Sequence, residues 1–147
     1  MLRLPSFEAS WHDLARGVRV LTRPATRAEI TAASAWARQE ADKALSAASG
    51  RLDGLEASHD RREAVQMGYT AIALARLCVT DWQGVDGDCT PENIGALMQV
   101  PGMVEAYTPI ALAAVTALSA EGNASAPALN GTTAGAPNTA EGAKPQA

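Results

Sequence analysis

TRAEITAASAWARQEADKALSAASG, residues 26–50, is the stretch that decides the fold class. Thr26 and Glu29 stand three apart, the spacing at which a threonine hydroxyl and a glutamate carboxylate cap each other's backbone N–H groups at a helix start. Behind them Ile30, Ala33, Ala37, Ala41, Ala44, Leu45 and Ala48 recur on one helical face. Ser49-Gly50 stops the pattern, so a helix is expected from Thr26 to about Ala48. Upstream, Arg23-Pro24-Ala25 precedes the cap, because proline holds the residue before it extended. Residues 1–25 are irregular: Leu2, Leu4 and Phe7 alternate loosely, and Val18-Arg19-Val20-Leu21 is a β-prone run after Gly17. They read as an extended segment of two short strands or a hairpin.

Downstream, Arg51 to Ser58 is a connection, and a second cap falls near Ser58 or Asp60, with Glu63 three positions after Asp60. The next helix carries Ala64, Val65, Met67, Gly68, Tyr69, Ile72, Ala73, Leu77 and Cys78. Apolar residues wrap more than half its circumference, which reads as the central helix of the domain. Gly68 costs that helix about 1 kcal/mol relative to alanine unless another helix packs closely against it. Val79 to Asp88, with two glycines and three aspartates, reads as a loop. Thr90-Pro91-Glu92 then opens a short helix carrying Ile94, Leu97 and Met98, which ends before Pro101-Gly102. A last helix is expected from about Met103 to Ala120, with a kink at Pro109. After Glu121 the chain is nearly all Ala, Gly, Asn, Ser, Thr and Pro, and Leu129 is its one large apolar residue, too little to offset the entropy of ordering. The expectation is a mainly α protein: an N-terminal extended or hairpin segment (1–25), a small helical bundle (26–120) and a disordered C-terminal tail (121–147).

Composition narrows the function classes. The 147 residues make room for one modest domain. Aromatics are only 4% of the chain, so the core must be built from Leu, Val, Ile, Met and Ala, and stability is expected to be marginal without a partner or self-association. A net charge of −4 with scattered basic residues argues against nucleic acid, which needs clustered Lys and Arg. The opening Met1-Leu-Arg-Leu-Pro-Ser-Phe7 lacks the apolar core of a secretory signal, and no run of about 18 apolar residues is free of charge and proline. A soluble, cytoplasmic protein is expected, with no membrane partner.

No chemistry declares itself. Cys78 and Cys89 match no paired metal-ligand spacing; Cys78 reads as a small core residue, Cys89 as a loop residue, and a disulfide between them has no support from the sequence. His12 and His59 sit beside Asp13 and Asp60 near element starts, with no nucleophile motif. Counting an EF-hand loop from Asp81 puts Gln83 at the third position and Val85 at the fifth, so Asp86 and Asp88 fall out of register. Neither enzyme activity nor a cofactor or metal is expected. Trp82 reads as an anchor of its loop with the indole N–H on a backbone acceptor, or as the lining of an apolar surface for a partner peptide. Trp11 and Trp36 carry the same two readings, and Trp36 lies off the alanine stripe, where an exposed tryptophan is a favoured interface anchor.

Two stretches resemble one family. Leu77-Cys78-Val79-Thr80-Asp81-Trp82-Gln83-Gly84-Val85, a short acidic turn, Thr90-Pro91-Glu92-Asn93-Ile94-Gly95-Ala96-Leu97-Met98 and then Gln99-Val100-Pro101 resemble the tail assembly chaperones of long-tailed phages and prophages. Members of that family show a Val-x-x-Trp-x-Gly-Val element, a Thr/Ser-Pro-Glu helix start and a Leu-Leu-x-x-Pro ending. The opening, Gly17-Val18-Arg19-Val20 leading through Arg23-Pro24-Ala25-Thr26 into an alanine-rich helix, is also similar. The likeness covers roughly residues 14 to 108, and its most specific part is Trp82 to Pro101. The chain departs from the family in the turn Asp86-Gly87-Asp88-Cys89, which is shorter than relatives often have. The resemblance implies a protein of the host cytoplasm that binds the tape measure protein, the tail tube protein, or both, during tail morphogenesis. The alternative is a minor tail or connector component of the virion. The partner-binding surface is expected around Trp36, Trp82, Val85, Ile94, Leu97 and Met98.

Overall fold

A computed structural model describes residues 8–51 and 59–130. The chain divides into two units, Met1–Ala114 and Val115–Ala147. Within the first, the order is strand β1 (Ser10–Asp13), strand β2 (Arg19–Thr22), helix α1 (Arg27–Ser49), helix α2 (His59–Cys78), strand β3 (Val79–Gln83), helix α3 (Pro91–Leu97) and the start of helix α4 (Met103–Asn130). The fold is mainly α, as the hydrophobic periodicity predicts, with a three-stranded antiparallel sheet ordered β1-β2-β3.

The hairpin is real, but its first strand is Ser10–Asp13, three residues beyond the Leu2–Phe7 alternation, which lies outside the described residues. Trp11 pairs with Leu21 and His12 with Val20. The turn closes through Leu14 N–H to the Val18 carbonyl at 2.8 Å, with Arg16 (φ 57°) and Gly17 (φ 77°) both left-handed. The strained Arg16 is held by its Nε, which donates to the Pro101 carbonyl at 3.2 Å.

The stretch read as a loop from Val79 is instead a strand that follows α2 without a linker. Val, Thr and Trp favour the pleated geometry, and the aspartate that suggested a loop is solvent-facing. Val20 pairs with Trp82 and Leu21 with Asp81, while Thr22 pairs with Val79, so Thr80 is a bulge residue. The bulge shifts the side-chain phase by one, which puts Val79 and Trp82 on the same buried face although they are three apart. Gly84 ends the strand with φ 82°; a Cβ there would lie 2.5 Å from the Gly17 carbonyl oxygen, so only glycine fits.

α1 begins at the expected cap. Glu29 N–H donates to Thr26 Oγ1 at 3.1 Å and Thr26 N–H to Glu29 Oε1 at 2.9 Å. Its buried residues are Ile30, Ala33, Ala37, Ala41 and Leu45, with Ala44 and Ala48 half-buried at the edge of the stripe. They face a stripe of Ala71, Leu74, Ala75 and Cys78 on α2, and the many alanines let the axes approach closely. Arg23 ties three elements together. Its guanidinium grips Glu29 with Nη1 to Oε1 at 2.8 Å and Nη2 to Oε2 at 2.5 Å. Nη2 also donates to the Leu77 carbonyl at 2.9 Å, and Arg23 N–H to the Cys78 carbonyl at 3.0 Å. A cation and an N–H thus meet the negative end of α2.

α4 runs through Pro109 without a break and reaches Asn130, ten residues beyond the expected end at Ala120; residues 131–147 lie outside the described residues. Tyr107 is buried, and its hydroxyl is 3.1 Å from Thr22 Oγ1. Burial pushes the Tyr107 phenol up to about 12.

Candidate functional site

Four of the six residues assigned to a partner surface belong to the core. Trp82, Ile94, Leu97 and Met98 are all buried, and this corrects the expectation that they meet a partner. The reason is local. Trp82 sits on the inner face of β3, and its indole N–H donates to the Gly87 carbonyl at 3.1 Å, pinning the acidic turn. Asn93 Nδ2 donates to the Asp88 carbonyl at 2.8 Å, and Thr90 Oγ1 caps α3 by accepting from Asn93 N–H at 3.2 Å. A short helix so fastened turns Ile94, Leu97 and Met98 inward. Trp82 is therefore the anchor of its turn, and only Val85 and Trp36 of the six keep partial exposure.

Trp36 leads to the surface that does stay open. Its ring meets Tyr69 edge to face, with centroids 5.8 Å apart and planes at 81°. Beside that pair a groove of about 320 Å³ is lined by Ala32, Ala33, Trp36, Ala73, Arg76, Leu77 and Pro91. On α2, Tyr69, Ala73 and Leu77 repeat every four residues and make a second apolar stripe beside the core stripe. Leu77 is 42% exposed, one of two large apolar side chains so exposed among the described residues. The other is Leu112 on α4, at 50%. Arg76 closes one end of the groove. Its Cδ is 3.7 Å from where a Cβ on Gly95 would sit, so it lies along α3, and it makes no ion pair among the described residues.

The sequence reading missed Leu77, Ala73 and Pro91, although the signal was there: an apolar arc wider than one core contact needs. Trp11 is half-buried on β1, with the Arg19 guanidinium 5.4 Å from its ring centroid.

The groove's lining has one ionisable group, Arg76, and no cysteine, serine or histidine. Among the described residues no three His, Cys, Asp or Glu side chains are grouped to hold a metal. Both cysteines are free, and burial pushes the Cys78 thiol up to about 11, away from reactivity. No helix among the described residues is long and apolar enough to cross a membrane. No family model, curated protein or solved structure matches the chain.

Proposed function

We propose that this protein is a tail assembly chaperone of a long-tailed phage or prophage, a non-enzymatic binder acting in the host cytoplasm. Its main client is the tape measure protein, with tail tube subunits as a second. One observation carries the reading: an apolar groove open to solvent, in which Leu77 is 42% exposed, on a chain whose sequence resembles that family. A tape measure is long, helical and apolar, and aggregates alone. A groove between two helices with an aromatic pair at its side takes the apolar face of such a helix. Many copies along one client add avidity to a weak single contact.

Co-expression tests it. The tape measure protein is expected in the soluble fraction with the wild-type chain and in the pellet with a Leu77→Ser variant that melts like wild type. A tape measure equally insoluble in all cases removes the proposal. Stoichiometric recovery of the chain from purified virions would favour the structural tail component instead.

A further inference from the structure

The outer face of α4 and the groove complement each other. In the first unit, α4 exposes Glu105, Pro109, Leu112 and Ala113, successive positions on one helical face. Solvent-facing helix surfaces are normally charged, yet Glu105 is the only charged side chain in this stretch. The groove is the mirror case, an apolar lining with Arg76 as its only charged group. Neither Glu105 nor Arg76 makes an ion pair among the described residues. We propose that the groove of one copy receives the first turns of α4 from a second copy, with Glu105 paired to Arg76.

Spacing supports the register. Glu105 and Leu112 are seven positions apart on α4, and Arg76 and Tyr69 are seven apart on α2. Seven helical residues span about 10 Å. With the helices antiparallel and Glu105 on Arg76, Leu112 therefore reaches the Trp36–Tyr69 end of the groove. Donor and acceptor surfaces are different parts of the chain, so the contact is made twice in a two-fold pair or once per junction in a head-to-tail series. A second copy and a client helix compete for this groove, but the contact does not rest on the chaperone reading and is tested on the purified chain alone.

The experiment is sedimentation velocity over a range of concentrations, on the full chain and on Arg76→Glu, Glu105→Arg and the double variant. Circular dichroism confirms that all four fold alike, as substitutions at exposed positions should. The wild type is expected to associate as concentration rises. Each single reversal sets like charges against each other and should weaken association ~tenfold or more, and the double variant should regain most of it. A wild-type chain that stays monomeric throughout overturns the proposal. So does association indifferent to either reversal, or a double variant no better than the weaker single one.

Discussion

Thr22 and Tyr107 are 85 positions apart and share one buried hydrogen bond between the end of β2 and α4. Tyr107→Phe keeps the ring and removes the hydroxyl, so Thr22 loses a partner in a dry site. The expected cost is ~1–2 kcal/mol, seen as a lower urea midpoint. The Arg23–Glu29 pair adds a pH signature. The hydrogen-bonded guanidinium holds the Glu29 carboxyl down at about 2 against an ordinary 4.5. A carboxyl lowered on folding stabilises fully above 4.5, and that contribution is lost as pH falls toward 2. Arg23 is about a third exposed, so screening holds the gain to ~1 kcal/mol. Comparing urea midpoints of wild type and Arg23→Gln should therefore give a gap that is constant from neutral pH to about 5 and narrows below 4.5. It should not vanish, because the carbonyls of Leu77 and Pro24 still accept from Arg23 at low pH. A gap that widened in acid would contradict the pairing.

At the scale of elements, α1 was legible because its cap, stripe and stop all lie within one continuous segment. β3 was not. Its pairing partner, β2, is about sixty residues away, its bulge breaks the alternation that marks a strand, and its flanking Asp and Gly carry turn signals. Two glycines test the same logic in opposite directions. Gly84 has a left-handed φ and backbone 2.5 Å from any Cβ, so Gly84→Ala should cost ~2 kcal/mol or more and loosen the β2–β3 pairing. Gly68, inside α2, has only the Val104 side chain at 3.8 Å, an ordinary contact. The close packing that would have justified a glycine is absent, and Gly68→Ala should stabilise by ~0.5–1 kcal/mol. Thermal melts of the two variants should move apart; a destabilised Gly68→Ala would mean that α4 sits tighter on α2 than these contacts imply.

For the molecule as a whole, the question is which apolar residues hold the fold and which remain for a partner. Sequence periodicity marks both as apolar and cannot divide them, because the wide arc of α2 serves the core with Ala71, Leu74 and Cys78 and the groove with Ala73 and Leu77. In the most family-like stretch, Trp82 to Pro101, the large apolar side chains Trp82, Ile94, Leu97 and Met98 are core, and the Trp82 N–H is met by its own turn. The division makes a paired prediction. Trp82 is buried, so Trp82→Ala should cost ~3–5 kcal/mol and bring a marginal domain close to unfolding. Leu77 is 42% exposed, so Leu77→Ser should leave the melting temperature within a degree or two of wild type while abolishing capture of the groove's occupant. Pull-down and melting on the same two proteins read both effects. If Leu77→Ser melts early and still binds, the stripe of Tyr69, Ala73 and Leu77 is core, and the groove is packing left incomplete.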